Sequence, residues 1–143
     1  MDGAVSGVPF AVGQRAEFRR TVTEADLVNF AGVSGDYNPL HTDVQYAGRS
    51  RFGERVAHGM LLGAYVSAVL GNRLPGPGAI LLSCSLRFLR PTRVGDTVTV
   101  WVEVAGVRED KPVVTLRVGC TNQRDEPVVE GEAVCLWEPV EVR

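Results

Sequence analysis

The sequence has few cysteines, almost no net charge and no long hydrophobic run, and each shortage excludes a class of protein. Its three cysteines, Cys84, Cys120 and Cys135, are odd in number, far apart and without a C-x-x-C pair. Such a set argues against a disulfide framework or a zinc ribbon and points to a reducing compartment. The net charge of −2 gives no reason to expect nucleic acid or an anionic membrane as a partner. No apolar run approaches the ~20 residues of a membrane span. The first dozen residues lack a basic stretch leading into a long apolar core, so no secretory signal is expected. The expected location is the cytoplasm.

What is present is ordinary globular material. At 143 residues, 45% apolar and 22% charged, the chain is long enough for one buried core and short for two. Residues 1–12 are rich in small side chains and are expected to be loosely ordered, with a single domain over 13–143. Weak alternation predicts a first strand over 16–22. Thr23 reads as an N-cap with Asp26 in the capping-box position, opening a helix through Ala25, Leu27, Val28, Phe30 and Ala31 that Gly32 can stop. Residues 44–55 read as an irregular, solvated covering loop. Residues 57–70 leave almost no polar face, which predicts a helix buried in the middle of the fold. Gly71 and Asn72 end it, and a Pro-Gly-Pro-Gly turn follows at 75–78.

From residue 79 onward the period becomes two. Four alternating runs, around 80–88, 97–104, 114–121 and 128–137, are separated by turn residues and predict an antiparallel meander. One buried helix followed by long strands implies a curved antiparallel sheet wrapped around a central helix, an α+β architecture.

The chemistry is concentrated in Ser34-Gly35-Asp36-Tyr37-Asn38-Pro39-Leu40-His41-Thr42-Asp43. A carboxylate and an imidazole stand five positions apart, a spacing that separates faces on a regular helix. Pro39 disfavours a helical Asn38 and cannot donate a backbone hydrogen bond, so the segment reads as a shaped loop in which Asp36 and His41 converge.

This run, with Ala57-His58-Gly59-Met60-Leu61, resembles the MaoC-like family of (R)-specific enoyl-CoA hydratases. Arg90-Pro91, Val94-Gly95-Asp96, Arg108-Glu109-Asp110-Lys111-Pro112 and Glu130-Gly131-Glu132-Ala133 extend the resemblance over residues 13–137. It implies a single hot-dog domain in a homodimer whose sheets join edge to edge, with active sites near the interface. The implied reaction is reversible syn addition of water to a trans-2-enoyl-CoA, in fatty acid metabolism or the supply of polyhydroxyalkanoate precursors. No cofactor is implied, coenzyme A being part of the substrate. A 3-hydroxyacyl-[acyl-carrier-protein] dehydratase shares this chemistry and is the alternative. A hot-dog thioesterase would lack the Gly-Asp-x-Asn-Pro-Leu-His run, and a non-catalytic acyl-CoA-binding subunit would not need both Asp36 and His41.

Under that resemblance Asp36 and His41 hold one water between them, and either can be the formal base. The Gly59 amide, at the helix start, is the oxyanion donor. Asn38 is expected to brace the loop, and Ser67 is a supporting candidate on the helix. His58 reads as structural. Arg87, Arg90 and Arg93 are candidates for the coenzyme A phosphates. A metal site at Asp36, His41 and His58 is rejected for want of a spaced ligand set.

Overall fold

The computed structural model describes residues 8–142. In chain order it runs β1 (Arg15–Thr21), α1 (Glu24–Ser34), α2 (Pro39–Thr42), α3 (Val44–Gly48), α4 (Gly59–Asn72), β2 (Ala79–Phe88), β3 (Thr97–Val107), β4 (Val113–Thr121) and β5 (Pro127–Trp137). Of the N-terminal segment expected to be loose, residues 1–7 lie outside the described residues. Phe10 meets Trp137 edge-on with ring centroids 5.2 Å apart.

All five strands form one sheet in the order β1-β3-β4-β5-β2. The expected meander therefore holds for β3, β4 and β5 but not for β2. Arg15 of β1 pairs with Glu103 and Thr21 with Thr97, so β1 occupies the free side of β3. With that side taken, β2 crosses over and pairs with β5, Ala79 opposite Trp137 and Phe88 opposite Val129. Alternation fixes which face each strand buries. Val98, Val100, Val102 and Val104 of β3 and Val114, Leu116 and Val118 of β4 are buried on the face that meets α4. Burying such a side chain is worth about 1.5–3 kcal/mol, so this layer carries the fold.

Helix α4 supplies Leu61, Leu62, Tyr65, Val66, Val69 and Leu70 to the same core. It is not buried on every side, as its uniform apolarity predicts. Met60, Ala64, Ser67 and Gly71 form an exposed stripe, with Met60 58% accessible. Two other boundaries differ. Helix α1 runs through Gly32 to Ser34 and stops at Gly35, whose φ of 79° is left-handed. Gly32 has helical neighbours on both sides and is not needed as a stop. Residues 44–48, expected to be irregular, form α3 because Asp43 caps it, its Oδ1 accepting the Gln45 and Tyr46 amides at 2.9 and 3.1 Å.

Candidate active site

The site begins with the way α1 ends. Ser34 Oγ donates to the Phe30 carbonyl at 2.6 Å and accepts the Asp36 amide at 3.1 Å. Gly35 closes the helix by donating its amide to Ala31 at 2.8 Å, in a conformation that glycine adopts without a Cβ penalty. Asp36 Oδ1 then accepts the Asn38 amide at 3.1 Å, an Asx turn that reverses the chain. Asn38 caps α2, its Oδ1 accepting the Leu40 amide at 3.0 Å, and Pro39 takes the first helical position, where no donor is needed. The expected loop thus contains one turn of helix, and that turn swings His41 back toward Asp36.

Both histidine tautomers follow from their carbonyl partners. His41 Nδ1 lies 2.7 Å from the Val56 carbonyl. A carbonyl oxygen only accepts, so Nδ1 carries the proton and Nε2 presents a lone pair. His58 is the reverse: its Nε2 lies 3.0 Å from the Asp36 carbonyl and must donate, leaving the lone pair on Nδ1. That Nδ1 is buried and has no hydrogen-bond partner among the described residues. The two rings stack with centroids 3.9 Å apart and planes 27° apart, and Phe30 packs on His58 at 4.9 Å. Asp36 is exposed, His41 half-buried and His58 buried.

Asp36, His41 and His58 bring one polar atom each within 4.8 Å of one another. The geometry suits proton transfer better than metal binding. Imidazole lone pairs lie in the ring planes, and planes 27° apart with centroids 3.9 Å apart converge far beyond a metal–nitrogen bond of about 2.0–2.1 Å.

Gly59 is the first residue of α4, directly after His58. His58 occupies the N-cap but makes no capping bond, so the first-turn amides meet the positive end of the helix dipole without a side-chain acceptor. Gly59 also lines a cleft of about 370 Å³ with Ala57, Leu62, Phe88, Arg90 and Thr92. A Cβ on Gly59 would come within 3.0 Å of the Phe88 ring, so its bare backbone forms part of the cleft wall. Asp36 and His41 do not line this cleft; both meet His58, the residue before Gly59.

The remaining candidates are dispersed. Ser67 is on the exposed stripe of α4, eight residues past Gly59. Arg90 lines the cleft but donates to the Pro127 carbonyl at 2.6 Å. Arg93 is held by Glu54 at 3.1 Å and by the Phe52 carbonyl at 3.3 Å. Arg87 is exposed on β2 and does not line the cleft. Arg55, expected only as a solvated charge of the 44–55 loop, pairs with Glu24 of α1 through both terminal guanidinium nitrogens and reaches the His41 carbonyl at 3.4 Å. No spacing rule connects residues 24, 41 and 55; only the fold does.

Known proteins resemble this chain along most of its length. The family model described as "MaoC like domain" matches residues 9–124. The (R)-specific enoyl-CoA hydratase of Rhodospirillum rubrum is 48% identical over 124 residues, which cover 87% of this chain and 85% of that protein. A mitochondrial 3-hydroxyacyl-[acyl-carrier-protein] dehydratase of Arabidopsis thaliana is 33% identical over 128 residues, covering 87% of this chain and 76% of the relative. Among solved structures, the (R)-hydratase from A. caviae involved in PHA biosynthesis superposes with a TM-score of 0.89 at 42% identity, over 92% of this chain and 100% of that one. The architecture is the α+β hot-dog: one antiparallel sheet, not closed into a barrel, packed on a central helix. The chain belongs to the MaoC-like domain family.

Proposed function

We propose that this protein is a hydro-lyase, an (R)-specific enoyl-CoA hydratase that reversibly adds water to trans-2-enoyl-CoA to give (R)-3-hydroxyacyl-CoA. The observation that carries the reading is the approach of the Asp36 carboxylate and the His41 imidazole to within 4.8 Å, beside the uncapped start of α4. A carboxylate and an imidazole at that separation can share one water. His41 Nε2, left as a lone pair by the Val56 bond, accepts a water proton as the oxygen bonds to C3. The C2 carbanion that results is delocalised as an enolate onto the thioester oxygen, where the Gly59 amide donates to it. A proton from the dyad then reaches C2 on the face that the oxygen attacked, and the addition is syn. Addition and its reversal move protons and no net electrons, so no redox cofactor is called for, and coenzyme A enters only as part of the substrate.

Residues 13–143 are read as one catalytic domain working as a homodimer. Support comes from the exposed apolar stripe of α4, the exposed Asp36 and an unprotected β2 edge, surfaces that a second copy can cover. Among the described residues no helix is long and apolar enough to cross a membrane.

Hydration of crotonyl-CoA, followed as loss of the enoyl thioester absorbance, tests the reading. Asp36→Asn and His41→Gln are each expected to lower kcat by about 10²–10⁴, the usual share of one acid–base group, with folding unchanged. Near-normal turnover by either variant overturns the shared-water mechanism. The alternative, a dehydratase acting on carrier-protein thioesters, is favoured by the Arabidopsis relative. It replaces the first reading if kcat/KM on the carrier-protein ester exceeds that on the coenzyme A ester.

A further inference from the structure

We propose that His58 is a positioning residue that holds both members of the dyad at once, through its Nε2–H on the Asp36 peptide and its ring face on His41. The inference rests on the proposed hydration chemistry and goes beyond it. His58 precedes Gly59 and stands at the N-cap of α4, yet its side chain does no capping. Instead it reaches back 22 residues to the Asp36 carbonyl at 3.0 Å, fixing the peptide that carries the carboxylate. The same ring lies against His41 with centroids 3.9 Å apart, which limits rotation of the imidazole about its Cβ–Cγ bond. His41 is otherwise held by one hydrogen bond from its ring, at Nδ1. One rigid side chain therefore relates the carboxylate, the imidazole and the first amide of α4, the three groups whose relative placement the reaction requires.

The buried, unpartnered Nδ1 of His58 argues that this residue is not there for stability alone. A buried acceptor without a donor is destabilising, and a phenyl ring would fill the same space without it. Two variants separate the two contacts. His58→Phe keeps a ring against His41 and removes the donor to Asp36. His58→Gln keeps an NH donor at the position of Nε2 and removes the ring.

The test is steady-state hydration of crotonyl-CoA by the intact protein, with thermal melts of each variant. His58→Phe is expected to lower kcat at least tenfold, with KM within about twofold and Tm unchanged or raised. His58→Gln is expected to lower kcat less than His58→Phe, because the donor to Asp36 is restored. A kcat for His58→Phe within twofold of wild type overturns the proposal. So does a loss in both variants that simply tracks a fall in Tm. If His58→Phe does not fold, His58→Gln with unaltered kcat overturns it, and a tenfold loss of kcat at unchanged KM and Tm upholds it. Failure of the wild-type protein to hydrate any enoyl thioester would instead sink the proposed function, a distinguishable result.

Discussion

At the scale of single residues, the dyad depends on which ring nitrogen of each histidine carries the proton. The chain has two histidines, so its imidazole spectrum contains two spin systems, and His58→Phe assigns them. Long-range ¹H–¹⁵N correlation at alkaline pH should show His41 protonated at Nδ1 and His58 at Nε2, as their carbonyl partners require. Finding His41 protonated at Nε2 would leave no lone pair for the shared water. Gly59 gives a second residue-scale expectation. In Gly59→Ala the new methyl meets the Phe88 ring at 3.0 Å, and the ring must shift across the cleft. We expect kcat/KM on crotonyl-CoA to fall by about 10²-fold, because the displaced ring keeps the thioester oxygen from an amide that alanine retains. A variant with unchanged kcat/KM would place the oxyanion elsewhere. The convergence of Asp36 and His41 was legible in the sequence because both lie in one loop shaped by Gly35 and Pro39. His58 and Arg55 were not legible as neighbours of that loop. They arrive from 17 and 14 residues beyond His41, and a contact of that range is made by the fold and leaves no local pattern.

At the scale of elements, the part of the chain that carries Asp36 is bolted to the part that carries Gly59. Arg20 of β1 contacts Asp26 of α1 at 2.6 Å, and Tyr65 of α4 donates to the same carboxylate at 2.9 Å. Burial pushes Asp26 up, but hydrogen bonds from Arg20, the Thr23 backbone and Tyr65 outweigh it, and its pKa ends below the ordinary value. Tyr65 is pushed up to about 12, first by burial and then by its bond to Asp26. The two shifts have opposite consequences for stability. A lowered carboxyl stabilises above its unfolded value of about 3.9, and that contribution fades as pH falls through the folded value. A raised phenol stabilises below about 10, and its contribution is lost as pH rises from there toward 12. Denaturant melts should therefore find Asp26→Asn less stable than wild type at pH 7, with the gap closing below about pH 4. Tyr65→Phe should flatten the alkaline decline above pH ~10, leaving the share due to the thiols that burial also raises, Cys84, Cys135 and above all Cys120, pushed up to about 12. An acid gap that stays constant would remove the network from the account. The strands and the long helix were legible because their periods are local properties. Their order was not. Nothing in the alternation of residues 80–88 says that β1 takes the side of β3 that a meander would give to β2. The one hint is Gly131 on β5, where an added Cβ would collide with the Ser85 carbonyl of β2.

At the scale of the whole molecule, the two edges of the sheet are built differently. The β1 edge reads RAEFRRT, and charges along an edge strand discourage pairing with another chain. The β2 edge reads AILLSCSLRF, ten residues long with a single charge, the kind of edge that pairs unless something covers it. Its side chains are open as well: Leu81 is 50% and Leu82 55% accessible. Beside it lies the exposed stripe of α4 through Met60, Ala64, Ser67 and Gly71. The uniform apolarity of α4 and the alternation of β2 were both legible, but one chain buries neither completely, which makes sense if the proposed dimer buries the remainder. Two copies joined antiparallel through β2 about a twofold axis would place the same patch on both sides, the self-complementary form of closed assembly. Asp36 is exposed in one chain, and a partner surface that covered it would exclude bulk water from its proton transfer. Leu82→Lys adds a charge to the proposed junction at a position that one chain leaves exposed, so folding of the single chain should survive. Sedimentation should show the wild-type protein as a dimer and the variant as a monomer with the same far-ultraviolet spectrum. The monomer should hydrate crotonyl-CoA at least tenfold more slowly. A fully active monomer, of the variant or of the wild type, would show that one chain completes its own site and that the apolar β2 edge serves another purpose.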